Sequence, residues 1–213
     1  MTFDQFIAEY PSKTFEKGQT ILLRDVAPEA VYVIESGLVR TYTITAAGDE
    51  RLVSIDSAGE DLPIGYAFGL VERAQYFYEG YSRCVIRLVP RNDYTRYLRL
   101  HNDVMYERYV HLTSFLLSTF ARVSALEQSR ARDKIAATLA YMADQIGVRL
   151  RPYNSQLKLP ITQQEIADSL GLTRETAGIE LKKLELRKIL THTRNNYVLY
   201  MERLRKYLDD INR

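Results

Sequence analysis

Ile161-Thr-Gln-Gln-Glu-Ile-Ala-Asp-Ser-Leu-Gly-Leu-Thr-Arg-Glu-Thr-Ala-Gly178 is the stretch whose reading decides the fold. Thr162 and Glu165 have capping-box spacing: the Thr162 hydroxyl can accept from the Glu165 amide while the Glu165 carboxylate accepts from the Thr162 amide, so a helix starts here. Its inward residues are Ile166, Ala167 and Leu170. Ala167 is small enough for a second helix to cross closely, and Gly171 permits the left-handed backbone of a tight turn. Thr173 then caps a second helix with Ala177, Leu181 and Leu184 inward and Arg174, Glu175, Gly178 and Lys182 on its outer face. This pairing of a closely crossed first helix with a polar, Arg-led second one predicts a helix-turn-helix over residues 161–190.

Working outward, Ile189-Leu-Thr-His-Thr-Arg194 and Tyr197-Val-Leu-Tyr200 read as strands flanking Asn195-Asn196, a hairpin that adds a wing with Arg194 at its tip. Upstream, Ile135, Leu139 and Met142 share one face of a helix over 133–146, with Gly147 as its C-cap and Pro152 and Asn154 marking a loop. Before that, Met105, Tyr109, Leu112, Leu116, Thr119, Val123 and Leu126 recur at alternating steps of four and three. Such a narrow heptad seam suits a helix packed along a second copy of itself, and the off-seam Phe115, Leu117 and Phe120 are available for packing on the chain's own sheet domain.

Residues 15–90 have a different texture. Short β-branched and aromatic runs such as Ala30-Val-Tyr-Val-Ile34 and Leu38-Val-Arg-Thr-Tyr-Thr-Ile44 are punctuated by Gly18, Gly37, Gly48 and Gly59. Ala47-Gly48-Asp49 between two such runs is a hairpin signal. The fold class is therefore α+β: a compact N-terminal antiparallel sandwich or β-roll over 1–100, a dimerisation helix over 101–132 and a C-terminal winged helix-turn-helix over 133–213.

Composition fits this division. Of 213 residues, 46% are hydrophobic and 26% charged, ordinary for a globular chain. The net charge of +2 is small but uneven: residues 1–100 hold 11 Lys/Arg against 14 Asp/Glu, and residues 174–206 hold nine against four. The basic end is the one with the helix-turn-helix, as a DNA partner requires. Cys84 is the single cysteine and lies in an apolar run, so no intrachain disulfide or thiolate metal cluster is expected, and His101, His111 and His192 are scattered. No apolar run reaches the length of a membrane span, and Asp4 and Glu9 stand where a signal peptide would be basic, which points to a cytoplasmic protein. With no phosphate loop, nucleophile elbow or metal-ligand spacing, an enzyme is not expected.

The quoted stretch resembles the DNA-binding signature of the cyclic-AMP receptor protein and FNR (Crp/Fnr) superfamily. Lys17-Gly18, Tyr32-Val-Ile-Glu-Ser-Gly37-Leu-Val-Arg40, Gly48-Asp-Glu50 and Gly59-Glu60 resemble that family's β-roll, and the heptad helix stands where its dimer helix stands. The resemblance implies a homodimer that sets two recognition helices into successive major grooves of a pseudo-palindromic site. The expected partners are double-stranded DNA, a second copy of the chain and RNA polymerase, with no membrane. Arg174 is the first choice for base contact, because a guanidinium can bind guanine O6 and N7 together, and Glu175 can accept from cytosine and help orient Arg174. Thr162, Thr173 and Thr176 are expected at phosphates, Lys182 and Gly178 on the same face, and Arg194 from the wing.

Two departures bear on function. Ile179 stands where a member reading with three charged residues carries arginine, and Glu180 stands at a position that is usually apolar; Ile179 can either meet a thymine methyl or turn inward. In the sensor, the family's cyclic-nucleotide pocket uses Gly-Glu-x-Ala/Leu followed by Arg-Ser/Thr. This chain has Pro63-Ile-Gly65-Tyr66-Ala67-Phe68, with Tyr66 in place of the carboxylate, and Arg73-Ala74-Gln75 without the hydroxyl. Thr119 matches a base-touching family position or serves as a register device, beside the bulky Phe120. Tyr66, Arg73, Thr119 and Phe120 are thus the candidate effector residues, no cofactor is expected, and control by cyclic AMP is not expected. The rings of Tyr66, Phe68, Tyr76, Phe77, Tyr78 and Tyr81 either line a pocket for another molecule or fill it. The competing reading is a ligand-binding module whose helix-turn-helix makes protein contacts.

Overall fold

The computed structural model describes residues 2–150, 155–193 and 196–211. They form two compact units, one of residues up to Thr45 with Leu52–Ser114, the other of Ala46–Arg51 with Phe115 onward.

The first unit opens with a short helix α1 (Phe3–Ala8), capped by Thr2. Eight strands follow: β1 (Ser12–Phe15), β2 (Thr20–Leu22), β3 (Val31–Ser36), β4 (Leu38–Ile44), β5 (Glu50–Ser57), β6 (Asp61–Leu62), β7 (Phe77–Gly80) and β8 (Cys84–Val89). They build two four-stranded sheets, ordered β1-β8-β3-β6 and β2-β7-β4-β5. The expected turn at Ala47-Gly48-Asp49 joins β4 to β5, with Gly48 at φ +88°, where a side chain would be strained.

On β3 the residues Val31–Ile34 are buried without interruption, yet they alternate between two cores. Tyr32 and Ile34 face the interior of the roll with Leu22, Val39, Tyr78 and Ile86, whereas Val31 and Val33 face α1 and the next helix, α2 (Arg91–Leu100), against Phe6, Tyr94 and Leu98. A strand buried on both faces loses the polar half of its period. The roll is thus a two-layer core with a helical cover on one sheet.

The long helix α3 (Asn102–Glu127) follows, and the division between the units falls within it. Of the heptad seam, Tyr109, Leu112, Leu116 and Val123 are exposed and Met105, Thr119 and Leu126 half-buried. Leu117 and Phe120, which the sequence offered for packing on the sheet domain, are exposed too, at 63% and 58%. The apolar band is therefore wider than the seam, and only Phe115 of the three is partly covered.

In the second unit, α4 (Ala131–Ile146) begins two residues before the expected start, and Ile135, Leu139 and Met142 are fully buried. Gly147 closes it in an extended conformation, not a left-handed one; glycine is needed because a Cβ would lie 2.2 Å from the Ala143 carbonyl oxygen. Next come β9 (Val148–Arg149), β10 (Gln156–Leu159), α5 (Gln163–Leu170), α6 (Arg174–Leu186), β11 (Leu190–Thr193), β12 (Asn196–Tyr200) and α7 (Met201–Ile211). The loop expected at Pro152 and Asn154 lies outside the described residues. The wing is larger than a hairpin, a sheet ordered β11-β12-β10-β9. Thr193 pairs with Asn196, so Asn196 is a strand residue and not half of the turn; Arg194 and Asn195 lie outside the described residues. α7 packs on α4 through Met201, Leu204 and Tyr207, and the Tyr207 hydroxyl donates to buried Asp133 while accepting from Arg132 Nε at 3.0 Å. No helix among the described residues is long and apolar enough to cross a membrane.

Candidate nucleic-acid interface

Local chemistry holds α5 and α6 in place. The Thr162 amide donates to Glu165 Oε2 at 2.7 Å and the Glu165 amide to Thr162 Oγ1 at 3.2 Å, which is the expected capping box. Gly171 takes φ +65°, and the Leu172 amide returns to the Ala167 carbonyl at 3.0 Å, closing the turn. Thr173 caps α6 by accepting from the Thr176 amide at 3.2 Å, and its hydroxyl also donates to the Thr176 hydroxyl at 3.0 Å. Ala167 and Ala177 are both fully buried where the helices approach, with Ile166, Leu181 and Leu184. Ser169 is buried as well, donating to the Ile166 carbonyl at 2.8 Å, while Leu170, expected inside, is half-covered.

This packing turns one face of α6 to solvent. Arg174 and Glu175 are exposed, and among the described residues neither has an ion-pair partner, so Glu175 does not orient Arg174 here. Ile179 points outward with 58% of its surface exposed, which decides between its two expected orientations. Glu180 is half-covered and accepts from Lys183 Nζ at 2.5 Å. Lys182 reaches Glu185 at 2.7 Å, and Glu185 also meets His192 Nδ1 at 3.2 Å on β11. The Lys182 hydrogen bond, followed by that of His192, holds the Glu185 carboxyl below its ordinary value. Gly178 is the one outer-face residue turned to an internal use, because Gln163 of α5 lies against it.

The candidate effector residues fall in both units. Tyr66 and Arg73 belong to the first unit, Thr119 and Phe120 to the second. The Tyr66 hydroxyl donates to the Pro28 carbonyl at 2.9 Å, and the Arg91 guanidinium lies over its ring at 5.1 Å. Arg73 is exposed and donates to the Asp25 carbonyl at 2.8 Å; Thr119 donates to the Phe115 carbonyl at 2.9 Å. Most of the aromatic cluster is packing: Tyr78 and Tyr81 are buried, Tyr76 packs on the same core, and Phe77 stacks on Tyr42, leaving Phe68 exposed.

A buried polar cluster was missed by the sequence reading. Asp56 accepts from the Thr41 hydroxyl at 2.5 Å and from the Ser54 hydroxyl at 2.9 Å, and burial pushes its carboxyl up to about 6. Glu60 accepts from the Ser57 amide at 2.6 Å and faces His111 Nε2 at 3.5 Å; burial first, then the nearby Asp56, pushes it up to about 7. Arg108 donates to the Gly59 carbonyl and to Asp61, which also accepts from the Tyr94 hydroxyl at 3.1 Å. The available signal was Ser54-Ile55-Asp56, which places two polar side chains on one face of β5.

Comparison with known proteins agrees with this architecture. Residues 112–207 match the Crp-like helix-turn-helix domain. The chain is 28% identical over 197 residues to the cAMP-activated global transcriptional regulator CRP of Pasteurella multocida, covering 91% of this chain and 90% of that protein. It is 26% identical over 181 residues to the nitrogen fixation regulation protein FixK of Rhizobium meliloti, covering 83% and 76%. In fold it is similar to a CRP/FNR-family transcriptional regulator from Thermus thermophilus, with a TM-score of 0.73 and 19% identity over 93% of this chain and 98% of that one. The chain thus carries a Crp-like helix-turn-helix domain and is similar over most of its length to DNA-binding transcription regulators of the Crp/Fnr superfamily.

Proposed function

We propose that the protein acts as a homodimer that binds a pseudo-palindromic DNA site through α6, reads it without control by cyclic AMP, and contacts RNA polymerase in the cytoplasm. The observation that carries the DNA reading is the solvent face of α6, where Arg174 stands at the capped N-terminus with no ion pair among the described residues. A guanidinium there can grip guanine O6 and N7, and the exposed Ile179 offers an apolar contact to a thymine methyl. The hydroxyls of Thr162, Thr173 and Thr176 and the first amides of each helix suit phosphate oxygens.

Dimerisation is supported by the exposed band on α3, since Tyr109, Leu112, Leu116, Leu117, Phe120 and Val123 together are more apolar surface than a solvated helix carries. Independence from cyclic AMP is supported by Tyr66, whose hydroxyl is committed to Pro28, and by Arg73, whose guanidinium is committed to Asp25. The test is selection of bound DNA from a random pool followed by gel-shift titration with and without cyclic AMP. Arg174→Ala is expected to lose about 5- to 150-fold in affinity for the selected site while keeping non-specific affinity. Equal affinity of variant and wild type for that site removes Arg174 as the reader, and tightening by cyclic AMP removes the effector part.

A further inference from the structure

Gly178 lies inside α6, where glycine costs helix stability relative to alanine and where no positive φ calls for it. The reason for it is a neighbour. A Cβ at position 178 would sit 2.6 Å from Gln163 Nε2 and 3.3 Å from Gln163 Cδ. Gln163 is the first residue of α5; its side chain crosses to α6 and Nε2 donates to the Arg174 carbonyl at 2.7 Å. In an α-helix that same carbonyl is the acceptor for the amide four residues on, which is Gly178. The absent side chain therefore opens the flank of the carbonyl through which Gln163 approaches.

We propose that Gln163 is a positioning residue for the recognition helix and that Gly178 is glycine in order to admit it. The tie joins the first turn of α5 to the first turn of α6, and so fixes the rotation of α6 that aims Arg174 and Ile179. This assignment rests on the DNA reading above for its functional consequence, but its structural half does not.

A four-protein cycle of wild type, Gly178→Ala, Gln163→Ala and the double variant tests it by thermal unfolding. In the Gln163→Ala background the alanine has room, and its helix propensity raises the Tm by about 2–4 °C. In wild type the same alanine displaces the Gln163 amide, so that gain is cancelled or reversed. The same Tm change in both backgrounds overturns the tie, and no DNA is involved in that measurement. Gln163→Met, which keeps the length and drops the donor, tests the positioning role: the ratio of selected-site to non-specific affinity is expected to fall at least fivefold with non-specific affinity unchanged. An unchanged ratio in Gln163→Met overturns the positioning role. Failure of the DNA reading itself appears separately, as a wild-type protein with no selected site.

Discussion

Glu60→Gln should make the protein's stability less sensitive to pH. Glu60 has 14% of its side chain exposed, and its carboxyl is raised from an ordinary 4.5 to about 7. A carboxyl whose folded pKa exceeds the unfolded one binds more protons in the folded state between the two values, so stability falls as pH rises through that window. Integrating between pH 5.5 and pH 8 for a shift from 4.5 to about 7 gives a loss of about 2 kcal/mol from this one group. Asp56, raised to about 6, acts with the same sign. His111, lowered by burial and then by Arg108, acts with the opposite sign, losing stability as pH falls through the ordinary histidine range. Glutamine keeps the shape and can still accept from the Ser57 amide, so the difference between variant and wild type isolates Glu60. Urea unfolding followed by far-UV circular dichroism at the two pH values measures it. Wild type should drop by about 2 kcal/mol more than the variant, and an equal drop in both refutes the assignment of a neutral-range carboxyl to this position.

Two further substitutions probe the remaining structural claims. Leu116→Glu puts a charge in the middle of the exposed band, where 48% of the leucine is open in a single chain, so it should yield monomers by sedimentation with little loss of monomer stability; an unchanged dimer mass refutes the seam. Tyr207→Phe removes the hydroxyl that donates to Asp133, leaving a buried carboxylate one donor short, and should cost about 1–3 kcal/mol in urea; a change below about 0.5 kcal/mol would show that α7 is held by packing alone.

What the sequence disclosed follows the range of the forces involved. The helix-turn-helix was legible because its determinants are local: Thr162 with Glu165, Gly171 at φ +65° and Thr173 with Thr176 each act within four residues. The roll was legible as a set of strands but not as a pairing order, since β8 lies between β1 and β3 and nothing near Cys84 announces partners at Phe15. α1 and α7 went unread for another reason. Both are short, and their buried faces, Phe6 and Ile7 in one and Met201, Leu204 and Tyr207 in the other, acquire meaning only against helices elsewhere in their units. At the wing, two asparagines suggested a turn, yet the pairing of Thr193 with Asn196 is set by the match of β11 to β12 along its length, from Leu190 opposite Leu199 onward.

Tyr66 shows why a sensor is harder to read than a reading head. The family resemblance sets it in place of a carboxylate, and the sequence allowed a ring that lines a pocket as well as the more ordinary one that fills the core. The structure supplies the missing partners: Pro28, distant by 38 residues, takes the hydroxyl, and Arg91 takes the face of the ring. Arg73 is likewise engaged by Asp25, 48 residues away. Both groups that could have met an anion donate to backbone carbonyls, Tyr66 at a part-buried position and Arg73 at an exposed one. Polar character in the interior of the roll has moved instead to Asp56, held by Thr41 and Ser54, where a bound anion would meet repulsion and a cation or a proton would not. The acidic character buried in the roll is thus concentrated at Asp56 and, one loop away, at Glu60, whose carboxyls burial pushes up to about 6 and about 7.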